Sequence, residues 1–241
     1  MEHDRHYIEG KPKAETVELS REESHHLMHV RRGKTGDPIT LFDGTGNEYT
    51  AEIISCGKAL ATVRITGSRA VDRELPYRLA LAFAPAKAQA MDDIVRQATE
   101  IGVTTIQPVY CANSVVHYKD FEQKCRKWRR TVIEACKQCG RNVLPMIGTP
   151  VSLAAFLETC RGSIVLMAHP APDARSAREF VSRPDKHERI VCLIGPEGGF
   201  TDEEASLAVS AGARLVSLGP TRLRVETAAL ALLSAVTSFL R

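Results

Sequence analysis

Two glycine-rich turns near the C-terminus constrain the fold of this 241-residue chain more than any other feature. Residues 190–194 form a short, largely β-branched apolar run, which predicts a buried strand rather than a helix. After the glycine turn at 195–200, Thr201 and Glu204 have the spacing of a capping box, which predicts a helix start. A second predicted strand, 213–218, ends at another glycine turn. Since ligands bind at the carboxyl ends of strands in open α/β sheets, the two turns predict a small-molecule site.

The first turn has the sequence Gly-Pro-Glu-Gly-Gly, which differs from the known phosphate-binding glycine patterns. It is not GxGxxG, and no GKS or GKT follows, so neither dinucleotide binding nor a P-loop is indicated. A single glycine turn after a strand is more often only a turn. The second turn, with Arg224 and Glu226 close behind it, favours a binding site. The helix predicted at 225–240 is apolar nearly all round, so we expect it to be buried or packed on a partner.

The remainder of the chain divides into an N-terminal part rich in short strands and a part that alternates strands and helices. Residues 38–54 alternate about a glycine-rich turn, which is typical of a hairpin, and several such strands predict a small barrel. A short helix is predicted at 24–30, with Ser20 as its cap, and 71–76 is the predicted linker. The alternation beyond it predicts a largely parallel sheet. The predicted strands are 78–84, 104–109 and 163–168, and the predicted helices are 91–101, closed by Gly102, and 121–140.

Histidine and cysteine spacings raise the question of a metal site. The cluster His25, His26 and His29 has no acidic or cysteine partner evident beside it, so we interpret these residues as ordinary helix histidines. Cys136 and Cys139 have a spacing that a zinc or redox site could use, but they are the only close pair among seven scattered cysteines. An odd, scattered set is not a disulfide framework. The sequence therefore predicts reduced cysteines and no metal site.

Charge and hydropathy limit which partners the protein can bind and where in the cell it can work. The net charge is +3, and residues 119–141 hold eight basic and three acidic side chains. This excess fits phosphate contacts, and it equally fits a solvated helix face. No apolar run is long enough for a membrane span, and the N-terminus lacks the layout of a secretion signal, so we expect a soluble cytoplasmic protein without a membrane partner.

Four segments resemble a known family. The C-terminal segments IGPEGGFTDEE and LGPTRLRVETA resemble the signature of the RsmE family, the 16S ribosomal RNA uracil-N3 methyltransferases of the SPOUT class. The segments HHLMHVRRGKTGD and APAKAQAMDDIVRQATEIGV are also similar to that family. The resemblance implies an α/β fold in two domains. Residues 1–73 would form a PUA-like β-barrel that binds RNA, and 74–241 a SPOUT trefoil-knot methyltransferase domain with a mostly parallel sheet.

The resemblance also implies the chemistry and the partners. The cofactor would be S-adenosylmethionine (SAM), and the target N3 of uridine 1498 in the 16S rRNA of the 30S subunit. The family forms homodimers through the last helix. Because uracil N3 is a poor nucleophile until its proton leaves, we assign Arg224 to stabilise the developing anion and Glu226 to orient Arg224 or accept the proton. A side chain at Gly198 is expected to block the ligand.

The resemblance and the turns together give two sets of candidate binding residues. Three positions depart from the family pattern. Gln97 and Asn113 stand where the family usually has lysine and arginine, and Arg31 stands where it usually has an apolar residue. The cofactor candidates are Ala168, His169, Pro170, Ile194, Gly195, Pro196, Glu197, Gly198, Gly199, Leu218, Gly219, Leu223, Arg224 and Thr227. The RNA candidates are Arg31, Arg32, Lys34, Lys87 and Arg141.

Two other functions remain open at this stage. A SPOUT methyltransferase that acts on a different RNA base would carry the same motifs, and so would an RNA-binding protein that has kept the fold without the activity. An oxidoreductase is disfavoured because the dinucleotide glycine spacing is absent.

Overall fold

A computed structural model describes residues 4–171, 174–180 and 188–239. The chain forms two compact units. The N-terminal unit comprises Met1–Glu74 and Cys136–Leu144, and the C-terminal unit comprises Leu75–Ala135 and Pro145–Arg241. The first division falls inside the predicted linker 71–76, whereas the inclusion of Cys136–Leu144 in the N-terminal unit has no counterpart in the sequence analysis.

The N-terminal unit is built on one five-stranded sheet with the order β1-β3-β4-β5-β2. The strand β1 runs parallel to β3, and the other neighbours are antiparallel. The predicted hairpin is confirmed as β3 and β4, joined through Gly44 and Gly46, which both have positive φ. The strands are β1 (Arg5–Tyr7), β2 (Thr16–Glu18), β3 (Pro38–Phe42), β4 (Asn47–Cys56) and β5 (Ala61–Ala70).

The predicted short helix of the N-terminal unit is present and packs its apolar side on this sheet. It begins as α1 (Arg21–His25), and the Ser20 hydroxyl accepts a hydrogen bond from the Glu23 amide, as expected for an N-cap. It continues as a π-helical turn over His26–Val30. Leu27 is buried with Leu41, Ile53 and Val63 in the core of the unit.

The buried carboxylate of Glu48 connects Arg5 of β1 with Arg69 of β5 and with Arg73, which follows β5. Glu48 on β4 has a side chain only 4% exposed, and its oxygens lie 2.6 Å from Arg5 Nη1, 2.6 Å from Arg69 Nη2 and 2.9 Å from Arg73 Nη1. Burial alone would raise the pKa of Glu48, but hydrogen bonds from the three guanidinium groups outweigh it and lower the pKa to about 2. Glu48 is therefore a carboxylate whenever the unit is folded near neutral pH.

The C-terminal unit is an α/β structure whose sheet has the order β12-β10-β11-β6-β7-β8, with β9 also paired to β7. All of these pairs are parallel, which confirms the prediction of a largely parallel sheet. The strands are β6 (Arg78–Phe83), β7 (Thr105–Tyr110), β8 (Met146–Ile147), β9 (Val151–Ser152), β10 (Ile164–Ala168), β11 (Arg189–Ile194) and β12 (Arg214–Val216).

The helices follow the local signals in the sequence. Gly102 ends α2 in the left-handed conformation, with φ of 110°, and Thr201 and Glu204 form the predicted capping box of α5. The last helix, α6, is described to Phe239, so its predicted end at Leu240 lies outside the described residues. The helices are α2 (Ala88–Ile101), α3 (Phe121–Cys139), α4 (Leu153–Glu158), α5 (Asp202–Ser210) and α6 (Val225–Phe239).

Within the residues that the structure describes, none of the helices combines the length and the apolar character needed to cross a membrane.

Candidate functional site

A cavity of about 310 Å³ opens in the C-terminal unit where three parallel strands end. The strands β12, β10 and β11 are neighbours in the sheet, so the loops that follow them meet at one edge. These loops are 168–170 after β10, 194–200 after β11 and 216–223 after β12, and Val225 and Ala228 of α6 complete the wall. The position is the one at which open α/β sheets bind small ligands.

Most of the candidate cofactor residues line this single cavity, although they come from three separate stretches of the chain. Arg224 and Thr227 are not among its lining residues. The candidates that line it are Ala168, His169, Pro170, Ile194, Gly195, Pro196, Glu197, Gly198, Gly199, Leu218, Gly219 and Leu223. The residues that line the cavity but were not among the cofactor candidates are Phe200, Val216, Ser217, Pro220, Thr221, Arg222, Val225 and Ala228. Most of these are chain neighbours of predicted residues, and Ala228 lies one helical turn after Val225.

Close contacts within the first glycine turn explain its composition. A Cβ built on Gly195 would lie 2.9 Å from two ring carbons of Phe200, closer than real side chains approach. The Gly199 amide donates to the Pro196 carbonyl at 2.8 Å, and Gly199 has φ of 75°. The amide of His169 donates to the Val216 carbonyl at 3.1 Å, which ties the loop after β10 to that after β12. The turn therefore needs glycine at 195 for space and at 199 for conformation.

A side chain at position 198 was expected to block the ligand, but in the structure it would first meet Asn113. A Cβ there would lie 3.0 Å from the Cβ of Asn113, so a larger residue meets that side chain first. Asn113 Nδ2 donates to the Gly199 carbonyl at 3.1 Å. The adjacent amide of Ala112 donates to Glu204 Oε1 at 2.7 Å. The loop after β7 thus holds the glycine turn, and Asn113 has a role that the sequence analysis did not assign.

The two catalytic candidates lie at the start of α6. Arg224 is exposed and stands between Leu223 and Val225, which both line the cavity. Its carbonyl accepts the Ala228 amide at 2.8 Å, and Glu226 lies in the first turn. Within the described part of the chain no ion pair joins Arg224 to Glu226, so the assignment of Glu226 to orient Arg224 has no direct contact behind it.

The candidate RNA residues divide into four exposed side chains and one that is buried. Arg31, Arg32, Lys34 and Lys87 are exposed, although Arg31 Nε is 3.1 Å from Asp4 Oδ1. Arg141, by contrast, is only 3% exposed and forms an ion pair with Glu74. A guanidinium buried against a carboxylate is less available to a phosphate than an exposed one, and contact of Arg141 with RNA stays a prediction.

Two models of protein domains match the chain. Residues 73–237 match an RNA methyltransferase domain, and residues 19–66 match an RNA methyltransferase PUA domain. Among curated relatives, the ribosomal RNA small subunit methyltransferase E of Synechocystis sp. is 31% identical over 227 residues, covering 93% of this chain and 74% of that protein. The protein with the same description in Bacillus subtilis is 29% identical over 231 residues, covering 93% of this chain and 90% of the relative.

Solved structures of full length also superpose on the chain. A ribosomal RNA small subunit methyltransferase E from Neisseria gonorrhoeae bound to SAM has a TM-score of 0.87 at 31% identity, covering 98% of this chain and 97% of that one. A Legionella pneumophila protein solved with bound SAM has a TM-score of 0.91 at 35% identity, covering 99% and 98%. These likenesses confirm the predicted fold class, a SPOUT-type α/β domain preceded by a small PUA-like β domain.

Proposed function

The chain belongs to the ribosomal RNA small subunit methyltransferase E family of RNA methyltransferases, and from that membership we propose that it transfers a methyl group from SAM to N3 of uridine 1498 in 16S rRNA. The observation that carries the proposal is the cavity at the ends of β10, β11 and β12. Its volume of about 310 Å³ is at the lower end of the range for small-molecule sites. The absence of a side chain at Gly195 makes room for the ring of Phe200, which also lines the cavity.

The residues around the cavity suit a ligand that is part apolar and part polar. Ile194, Leu223 and Val225 offer apolar surface, while the exposed Glu197 and Ser217 offer oxygen atoms at the rim. SAM, when bound, supplies a methyl group on a positively charged sulfur. We assign the wall residues to bind and orient that molecule, since orientation can contribute several kcal/mol to a transfer between two held reactants.

Arg224 is the proposed electrostatic contributor to the reaction. Uracil N3 carries a proton, and removal of that proton leaves an anion that a nearby cation stabilises. Arg224 is a cation at every physiological pH, is exposed, and stands beside the cavity wall without belonging to it. Glu226, in the first turn of α6, is the proposed proton acceptor.

Replacing Arg224 with alanine is expected to lower kcat at least about tenfold, equivalent to about 1.4 kcal/mol of transition-state stabilisation. Affinity for SAM is expected to stay within about twofold of wild type, because the side chain does not line the cavity. Single-turnover methyl transfer and calorimetry with SAM measure the two quantities. As a control, Arg161→Ala removes an exposed arginine of the same unit that precedes β10, whereas the cavity residues follow the other end of that strand. Unchanged kcat in the Arg224 variant would remove Arg224 from the mechanism.

Replacing Asn113 with aspartate is expected to weaken SAM binding by a factor of about 2 to 12, the equivalent of one hydrogen bond of about 0.5–1.5 kcal/mol. The change keeps the shape of the side chain but removes the Nδ2 donor to the Gly199 carbonyl. Calorimetric titration with SAM measures the effect. Asn113→Ser, which retains a donor on a shorter side chain, serves as the comparison. Equal affinity in wild type and both variants would show that the glycine turn keeps its shape without Asn113.

We also propose that the enzyme works as a homodimer in the cytoplasm, on rRNA of the small subunit. The exposed side chain of Leu230 lies on α6, the helix that the family resemblance places at a subunit contact. An apolar side chain in that position favours a partner surface. Light scattering after size-exclusion chromatography determines the mass in solution. A monomer at assay concentrations, active in methyl transfer, would contradict the dimer.

Mapping the methylated nucleotide tests the proposed function. The 16S rRNA of cells that lack this gene, before and after complementation, is digested and analysed by mass spectrometry. We expect 3-methyluridine at position 1498 only after complementation. A methylated base at another position would favour the alternative of a related enzyme with a different target, and no methylation with retained RNA binding would favour a non-catalytic protein.

A further inference from the structure

Three side chains with metal-binding atoms converge within the N-terminal unit. They are Asp4 just before β1, His6 within β1 and His26 at the end of α1. Each offers one donor atom, and these atoms lie within 4.8 Å of one another. The sequence predicts no metal site at His25, His26 and His29, because no acidic or cysteine partner for them is evident. The fold supplies that partner by bringing Asp4 to His26 across more than twenty residues.

The central histidine is held on both sides. His6 is fully buried, its Nε2 is 3.2 Å from Asp4 Oδ2, and its Nδ1 is 2.8 Å from Glu23 Oε2. Glu23 is buried too, and Lys137 Nζ lies 3.2 Å from both of its oxygens. Histidines that bind metals usually place their second ring nitrogen on a carboxylate, which fixes the ring and the tautomer. The Glu23 contact does this for His6 and leaves Nε2 directed at Asp4.

One separation within the cluster matches that expected between ligands of a tetrahedral ion. With metal–ligand distances of about 2.0–2.2 Å, neighbouring donors on a tetrahedron stand about 3.3 Å apart. The separation of 3.2 Å between Asp4 Oδ2 and His6 Nε2 already matches one such edge. The rings of His6 and His26 are 5.7 Å apart between centroids, so a small movement of the partly exposed His26 would complete the set. Arg31 contacts Asp4 through the other oxygen, Oδ1, and leaves Oδ2 to the histidines.

We propose that Asp4, His6 and His26 form a binding site for a divalent transition metal of the zinc type. Two imidazoles and one carboxylate suit Zn²⁺ and its first-row neighbours rather than Ca²⁺ or Mg²⁺, which prefer oxygen ligands. Three protein ligands leave a fourth position for water. The ion would link the start of the chain to α1 and so fasten the segment that leads to Arg31, Arg32 and Lys34. Lys137 and Arg31 lie beyond the carboxylates and limit the affinity.

Titration with Co²⁺ tests the proposal, because cobalt in tetrahedral sites absorbs visible light. The full chain, without an affinity tag and stripped with a chelator, is titrated and then back-titrated with Zn²⁺. We expect one equivalent to bind to the wild type. The variants His26→Gln and Asp4→Asn are expected to bind at least about tenfold more weakly. Circular dichroism establishes that both variants are folded.

The neighbouring histidines provide a matched control. His25 and His29 are exposed, and their rings lie 4.9 Å apart on α1 and the turn that continues it. A double variant, His25→Ala with His29→Ala, is expected to keep the wild-type affinity. The proposal is overturned if that double variant abolishes binding, if His26→Gln binds as tightly as wild type, or if the wild type binds no cobalt. In the last case a proton shared between His6 and Asp4 is the only occupant of the cluster.

Discussion

Replacing Ala228 with tryptophan is expected to abolish SAM binding. Ala228 lies in the second turn of α6 and lines the cavity of about 310 Å³. An indole at that position would project into the space that the ligand is proposed to occupy, and overlap of filled volumes cannot be relieved in a packed wall. We expect a loss of affinity of at least about 1,000-fold, or about 4.1 kcal/mol, measured by calorimetry.

The same substitution elsewhere in the unit controls for the bulk of tryptophan. Ala154 is exposed on α4, so Ala154→Trp is expected to bind SAM like the wild type. Ala228→Leu, which fills less of the cavity, is expected to fall between wild type and Ala228→Trp. A folded Ala228→Trp protein, with an unchanged thermal midpoint and an unchanged dissociation constant, would place the SAM site elsewhere.

Replacing Glu48 with alanine is expected to destabilise the N-terminal unit by about 3–5 kcal/mol. The change leaves Arg5, which is 8% exposed, buried without its carboxylate. Arg69 and Arg73 are more exposed and can be hydrated, so most of the cost arises at Arg5. Arg5 Nη2 keeps its 2.6 Å contact with Asn142 Oδ1, which favours the lower end of the range. Urea denaturation, followed by circular dichroism, measures the free energy of unfolding.

An exposed carboxylate on the same strand, Glu52, provides the matched control. Glu52 pairs with Arg64 at 3.1 Å, and both side chains are more than 40% exposed, so Glu52→Ala is expected to cost less than about 1 kcal/mol.

The contribution of Glu48 to the free energy of unfolding depends on pH in a defined direction. Its pKa is about 2 in the folded unit against a usual value of 4.5, so its contribution is present above pH 4.5 and is lost as the pH falls toward 2. Equal effects of the two substitutions, or a Glu48 effect that grows in acid, would contradict this account.

Local signals in the sequence predicted the individual elements well. The capping box at Thr201 and the glycine C-cap at Gly102 involve residues within four positions of each other, so they can be recognised without knowing the fold. The short strands β1, β8 and β9, which carry no clear periodicity, and the six-residue helix α4 were not predicted. The order of strands was not predictable, because β12 pairs with β10 rather than with β11, its nearest strand in sequence.

Local sequence signals likewise located one of the two candidate sites but not the other. The cavity could be located because its walls are three loops marked by glycine and proline, whereas Ala228 depends on which face α6 turns toward it. The burial of Arg141 against Glu74 could not be predicted, because the two residues are 67 positions apart. Asp4 and His26 are likewise distant in sequence, so the cluster in the N-terminal unit is visible only in the folded chain.

A crystal structure of the protein soaked with SAM tests the central claim most directly. We expect electron density for the ligand in the cavity, enclosed by residues 168–170, 194–200 and 216–223 and in contact with α6 at Ala228. Density for SAM at another surface, with this cavity empty at saturating ligand, would contradict it.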